Sequence, residues 1–330
     1  MPDLLPSRMS QIRSNRRARS TALPTNDIEQ LYYIAKEAEG WSLKSLIWAK
    51  NGLKDVRRFL DKTGRSDVSL VDVTYPILVA WLADLRSRDD YYGRGKKLTK
   101  NTVNCYWRAV KRFYDWLYDD VKVIDDLPTE AIKTPKSCRR LIPTFQEHHI
   151  QALLQQCPPG DWYGTRDRAI IFTLLYTGLR KEEIASLTLD NINFEEHYIR
   201  VIGKGDKQRQ VHLQARPTKE IIRWLTIRPQ RKAKTLFTTR GGNPLSADAF
   251  HQLIVRIGQI AGVKDVRCSC HTFRHTFGLN LLREGHDIRF VQAVMGHESL
   301  NSTEIYVRQL KQEDALAWHS QVKPFKNWRI

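Results

Sequence analysis

Between Asp125 and Pro143 the chain reads DDLPTEAIKTPKSCRRLIP, with three prolines and no apolar period. Proline removes a backbone donor and restricts the residue before it, so this stretch continues neither a helix nor a central strand. Helical periodicity stands on both sides of it. A chain of 330 residues is long enough for two domains, and the stretch reads as an extended linker between them. The chain then sorts into a basic flexible arm at 1–24, a helical domain at 25–124, the linker at 125–143, a second domain at 144–310 and a tail at 311–330.

Upstream of the linker, LTKNTVNCYWRAVKRFYDWLYDD repeats apolar residues three and four apart, among them Val103, Trp107, Val110, Phe113, Tyr114 and Leu117. Thr99 is placed to cap that helix. Its opposite face carries Lys100, Arg108, Lys111 and Arg112, candidates for phosphate contact. Further helices are expected over SLKSLIWAKNGLKDVRRFLDKTG and YPILVAWLADLRSR, with Pro76 tolerated in a first turn. The loop YYGRGKKLTKN reads equally well as a solvated turn and as a phosphate contact at a helix start. Downstream, Thr144 and Glu147 have capping-box spacing. DRAIIFTLLYTG is a strongly apolar helix stopped by Gly178, and RKEEIASL begins another. YIRVI and RQVHL flank GKGDKQ as a β-hairpin. SADAFHQLIVRIGQIAG and the stretch from His271 return to helix. The fold class is mainly α with a small β-sheet.

The net charge of +18 and the pI near 9.8 point to a polyanionic partner, nucleic acid ahead of an acidic membrane surface. No apolar run approaches the roughly 18 residues of a membrane helix, and the basic arm lacks the apolar core of a secretory signal. Five irregularly spaced cysteines, Cys105, Cys138, Cys157, Cys268 and Cys270, fit a reducing, cytoplasmic setting with free thiols. Cys268, Cys270, His271 and His275 are zinc ligands in type but not in spacing, so neither a metal nor a cofactor is expected.

Cutting a DNA strand without metal makes specific demands. The transition state at phosphorus carries more negative charge than the diester, so fixed cations at the non-bridging oxygens stabilise it. Arginine offers phosphate two parallel N–H groups and stays protonated. A nucleophile must attack, and a proton must reach the departing 5′ oxygen. Tyrosine can attack, and a nest of cations would favour its phenolate. A fitting set occurs in order along the chain. Arg180 follows Gly178 at a bend. Lys204 lies in the hairpin turn. His271 and Arg274 are three apart on one helix face. His297 follows Gly296 at a helix end, and Tyr306 comes nine residues later. Each alone is weak: His197 and Arg200 repeat H-x-x-R on an expected strand, where they face opposite ways.

The series TGLRKEEI, IGKGDKQRQVHL, HTFRHTF and MGHESLNSTEIY resembles the catalytic domain of the tyrosine recombinases, also called phage-type integrases, from about Thr144 to Tyr306. The first half resembles that family's helical, SAM-like core-binding domain more loosely. The resemblance implies that Arg180 and Arg274 clamp the scissile phosphate and that Lys204 is the general acid for the 5′ oxygen. It implies that His271 assists as acid or base, that His297 hydrogen-bonds the phosphate, and that Tyr306 attacks to form a 3′-phosphotyrosine link. Glu183 matches an acidic position that supports the site without reacting. Lys181 and Glu182, and Cys268 and Cys270, depart from the family's usual residues without removing a reacting group.

The implied protein is a site-specific DNA recombinase of the integrase or transposon-recombinase type. It would act on double-stranded DNA as a homotetramer on synapsed sites, without metal or ATP, with accessory proteins allowed and no membrane partner. In the tail, Ala315, Leu316 and Trp318 suggest a short amphipathic helix, which family members commonly dock on a neighbouring subunit. Three alternatives use overlapping features. A type IB topoisomerase shares the chemistry but re-ligates the same strand, and the motif order fits it less well. A DDE transposase needs carboxylates on two metal ions, whereas Asp89–Asp90, Asp119–Asp120 and Asp125–Asp126 read as solvated charge. A non-catalytic DNA-binding regulator would use the same basic surfaces and form no covalent adduct.

Overall fold

The computed structural model describes residues 25–89, 97–135, 142–203, 208–229, 233–296, 299–300 and 303–311. The chain divides into two compact units, Met1–Arg140 and Leu141–Ile330. The basic arm, the loop residues 90–96, Cys138 and the tail residues Ala315, Leu316 and Trp318 lie outside the described residues.

The first unit is helical: α1 (Thr25–Ala38), α2 (Leu43–Lys62), α3 (Tyr75–Ser87) and α4 (Lys100–Asp115), the last widening into a π-helical turn at Trp116–Val121. The Thr99 hydroxyl accepts the Thr102 N–H and caps α4. The α4 stripe forms the centre of the core, with Trp107, Val110, Phe113 and Tyr114 fully buried against Leu53 and Val56 of α2 and Leu78 and Trp81 of α3. Each such side chain contributes about 1.5–3 kcal/mol by leaving water. A Cβ on Gly52 would lie 2.5 Å from the Ala109 Cβ, so α2 and α4 cross in close contact.

The early part of the linker is folded rather than extended. Thr129 is buried, and Leu127 and Ile132 pack on the first unit's core. Turns bond Glu130 N–H to the Leu127 carbonyl and Ile132 N–H to that of Thr129. The prolines stop a helix there, but two apolar side chains still anchor the segment.

The second unit runs α5 (Glu147–Gln155), α6 (Trp162–Thr177), α7 (Lys181–Ser186), β1 (Ile192–Asn193), β2 (Tyr198–Ile202), β3 (Gln208–His212), α8 (Ala215–Ile227), α9 (Ala247–Ile260), α10 (Cys270–Arg283), α11 (Ile288–Met295) and a last helix, α12, at 303–311. The sheet is antiparallel in the order β1-β2-β3, with Ile199 opposite Val211 and both buried. The two-residue β1 is too short to show a period. His197 lies in the turn before β2 at φ 54°, not on the strand. Helix α6 buries residues on nearly every side, as a helix at the centre of a core does, and packs against α8 and α10.

The cap of α5 differs from the expected Thr144–Glu147 box. Gln146 is the cap residue, and its N–H donates to His149 Nδ1 at 2.9 Å. Tertiary contacts hold the residues before it: Phe145 N–H donates to Thr276 Oγ1 of α10 at 2.9 Å, and its ring meets Phe273. Thr144 is buried in that entry, so the helix starts later. Besides the main core, Leu279, Val291, Met295 and Tyr306 form a small separate apolar cluster among α10, α11 and α12. Among the described residues no helix is long and apolar enough to cross a membrane.

Candidate active site

Arg180 is placed by the stop of α6. Gly178 takes a left-handed conformation at φ 59°, the chain turns, and Arg180 becomes the N-cap residue of α7. Three residues on, buried Glu183 accepts the Arg180 backbone N–H at 2.8 Å and its Nη1 at 2.7 Å. A carboxylate at the third helical position belongs there, because it satisfies an otherwise unpaired N–H at the positive end of the helix.

Glu183 is also held from the sheet. Arg209 of β3 donates Nη1 to Oε1 and Nη2 to Oε2, both at 2.8 Å. Desolvation alone would raise this carboxylic acid's pKa. The hydrogen bonds and charge of Arg209 and Arg180 outweigh it and hold the group at about 2.

The three arginines of this region meet at the end of α11. Arg209 Nε donates to the Val294 carbonyl (3.0 Å), Arg274 Nη2 to that of Met295 (2.6 Å) and Arg180 Nη2 to that of Gly296 (2.7 Å). These are consecutive carbonyls in a last helical turn, which have no partner inside the helix and sit at its negative end. Gly296 closes the helix at φ 63°. Arg274 also donates Nη1 to the Gly178 carbonyl at 2.7 Å, tying the two helix ends together. Arg274 is 4% exposed. Burial, then the neighbouring Arg180, lower it to about 10, which leaves it charged at neutral pH.

Tyr306 lies on α12 and is 1% exposed. Its hydroxyl pairs with His275 Nδ1 at 2.8 Å. Gly278 makes room for it, since a Cβ there would stand 3.0 Å from the tyrosine ring. Burial pushes the phenol up to about 12, although Arg274 and Arg180 pull in the opposite direction. The two arginines favour the phenolate, the expected direction, but desolvation outweighs them here and the group is a neutral phenol. His275 is likewise driven down to about 4, mainly by burial and then by His271 and Arg274. Both rings are then neutral, and one hydrogen bond joins them, its direction set by the imidazole tautomer.

His271 opens α10 on the same element as Arg274 and is exposed. Its pKa is nevertheless lowered, chiefly by desolvation and further by Arg274, Lys181 and Arg180, with Glu182 pulling the other way. Lys204 and His297 lie outside the described residues. In the first unit, Lys100, Arg108 and Arg112 are exposed on α4, while Lys111 is half-buried and paired with Asp115 at 2.6 Å, one turn along.

The zinc-type set Cys268, Cys270, His271 and His275 is not gathered around a common point: both thiols are buried in the main core and His271 is exposed. Among the described residues, His148, His149 and Asp265 do bring three ligand atoms together. The Gln146 N–H occupies His149 Nδ1, however, so the ring proton sits on Nε2 and is donated to Asp265 at 2.9 Å. A metal at Nε2 would have to displace that proton, and the group reads as a hydrogen-bonded helix entry.

Sequence reasoning missed Arg209 and the pairing of His275 with Tyr306. A trace of the first was present. Strand alternation puts Arg209 on the same face as buried Val211, and a charged residue on an inward face demands a partner.

The sequence profile of the phage integrase family matches residues 143–313, about half of the chain, and the chain belongs to that family. Tyrosine recombinase XerD of Ralstonia nicotianae is 31% identical over 294 residues, covering 84% of this chain and 91% of that protein. XerD of Pseudomonas putida is 34% identical over 212 residues, 62% of this chain and 69% of that protein. Two solved structures share the fold. The XerH site-specific recombinase bound to a palindromic difH substrate, a post-cleavage complex, has a TM-score of 0.69 at 23% identity, covering 90% of this chain and 86% of its own. The Tn1549 transposon integrase in complex with transposon right end DNA has a TM-score of 0.67 at 20% identity, covering 88% and 99%.

Proposed function

We infer that this chain is a tyrosine site-specific recombinase that cuts and rejoins DNA through a 3′-phosphotyrosine intermediate. One observation carries the reading: Arg180 and Arg274 converge on the end of α11, and the charge of both reaches the buried Tyr306 hydroxyl. Two guanidinium groups beside one phenol are the parts that metal-free phosphoryl transfer requires. DNA is the substrate, in keeping with the DNA complexes of the XerH recombinase and the transposon integrase.

In the proposed reaction Arg180 and Arg274 hold the non-bridging oxygens of the scissile phosphate. Tyr306 attacks phosphorus as its phenolic proton passes to His271, and Lys204 protonates the departing 5′ oxygen. His271 serves as acid or base, and His297 bonds the phosphate. Glu183 orients the arginines without reacting. Attack follows the opening of the Tyr306–His275 bond and the exposure of the hydroxyl to the phosphate, which relieves the desolvation that holds the phenol up. The phosphotyrosine stores the energy of the broken diester, so a 5′ hydroxyl of a partner strand can re-form it without ATP. Exchange between two duplexes calls for four copies, a homotetramer. The helical first unit is the core-binding domain, with Lys100, Arg108 and Arg112 toward the DNA backbone and Lys111 shared with Asp115.

A nicked duplex carrying the chain's recombination site, incubated in excess EDTA, tests this reading. The expected result is a covalent adduct on a denaturing gel that maps to the Tyr306 peptide. An adduct on another peptide, or none, overturns it. Relaxation of supercoiled plasmid without recombinant products would move the chain to the topoisomerase class.

A further inference from the structure

We propose that Arg209 is a positioning residue for strand cleavage: its single guanidinium locks Glu183 and the end of α11 together, and so sets where Arg180 and Arg274 stand. This rests on the recombinase reading for its activity readout only.

The geometry is specific. The side chain of Arg209 is 12% exposed and that of Glu183 5%. Arg209 uses both terminal nitrogens on the two Glu183 oxygens and Nε on the Val294 carbonyl. The same Glu183 oxygens hold Arg180 at its backbone N–H and Nη1. The carbonyls after Val294 in turn hold Arg274 and Arg180. Arg209 therefore closes a ring, running from Glu183 through Arg180 to Gly296, back along α11 to Val294, and through Arg209 to Glu183. His297 is the next residue in the chain. Three of the groups assigned to the phosphate thus lie on, or next in sequence to, a frame that one strand residue completes. Arg209 itself has its nitrogens committed to protein acceptors, which suits a bracket better than a phosphate ligand. Lysine cannot replace it, because the ring needs a planar fork plus a third donor.

The test compares wild type, Arg209→Lys and Glu183→Gln in the full chain. Single-turnover cleavage is measured on phosphate DNA and on DNA with a methylphosphonate at the scissile position. Methylphosphonate removes one anionic oxygen and with it much of the need for a correctly placed cation. Arg209→Lys should lower cleavage of phosphate DNA by about 10²-fold, the scale of a small misplacement. The loss should shrink on methylphosphonate DNA, while DNA affinity stays within about threefold. Glu183→Gln should show the same substrate dependence, and the double variant should be no worse than the worse single one. An equal loss on both substrates, a parallel loss of DNA binding, or no loss overturns the proposal.

A second readout needs no cleavage. The guanidinium NMR signals of Arg180 in the labelled chain should shift or broaden in Arg209→Lys, and unmoved signals overturn the proposal. Absent cleavage by wild type would count against the recombinase reading, while the NMR comparison would still decide the role of Arg209.

Discussion

Two parts of the second unit meet at α11 and are built in opposite ways. On one side, Arg180 and Arg209 share the Glu183 carboxylate, and together with Arg274 they hold the final carbonyls of a helix. On the other, Tyr306 and His275 are held neutral by burial, with a hydrogen bond of 2.8 Å between them, in a small apolar cluster separate from the main core. The charged part is assembled in advance, as electrostatic stabilisation of a transition state requires. The neutral part is kept chemically quiet, because a buried phenol with raised pKa is a poor nucleophile. The contrast separates stability from reactivity: damage to the arginine frame should cost folding energy as well as chemistry, whereas damage to the tyrosine should cost chemistry almost alone.

The sharpest expected difference follows. Tyr306→Phe should abolish the covalent adduct while leaving DNA binding in place. It should change unfolding free energy by only about 1 kcal/mol, the scale of one lost hydrogen bond. Retained cleavage would place the nucleophile elsewhere. Glu183→Ala should behave differently. It leaves two arginines facing a buried gap and should destabilise the fold by about 3–5 kcal/mol, as removing one partner of a buried ion pair does. Chemical denaturation of both variants checks the contrast. Equal, small losses would mean that the frame bears no weight.

Acid should separate the two parts again, in two pH windows. His275 sits at about 4 against an ordinary 6.5, so the unfolded chain takes up its proton first. Its contribution is complete above pH 6.5 and declines as pH falls toward 4. Glu183 sits at about 2 against 4.5, so its contribution is complete above pH 4.5 and declines from there toward pH 2. Each shift corresponds to about 3 kcal/mol across its window. Stability measured at pH 7, 4 and 2.5 should fall in both intervals. His275→Gln, which cannot titrate, should flatten the upper interval only.

Much of this architecture was legible in the sequence, for identifiable reasons. The helices of the first unit follow an apolar period that survives folding, and Thr99 caps α4 as its position suggests. The bend at Gly178 that places Arg180 was visible because a glycine ends an apolar run. Other features were hidden. The acceptors for three arginines are backbone carbonyls at the end of α11, and no side chain advertises a carbonyl. The Thr144 cap was overridden by the bond from Phe145 to Thr276, a partner 131 residues away. The cations near Tyr306 could be read, but its burial could not, and burial decides the direction of its pKa.

The smallest expected effect probes how tightly the two parts are joined. Gly296 ends α11 at φ 63°, and a Cβ there would come within 3.0 Å of Arg209 Nη1. Gly262 has a similar φ of 71° with open space around it. Alanine at either position must adopt a left-handed backbone, at a cost of about 1–2 kcal/mol. At Gly262 that should be the whole effect. At Gly296 the added methyl meets the end of a long side chain, which would ordinarily swing aside at little cost. Arg209 is not free to swing, because Nε and both terminal nitrogens are already bonded. Gly296→Ala should therefore lose more stability than Gly262→Ala and should slow cleavage, while Gly262→Ala cleaves normally. Unfolding free energies and single-turnover cleavage of the pair decide it. Equal losses with unimpaired cleavage would show that Arg209 yields freely, and that the arginine frame is looser than its hydrogen bonds suggest.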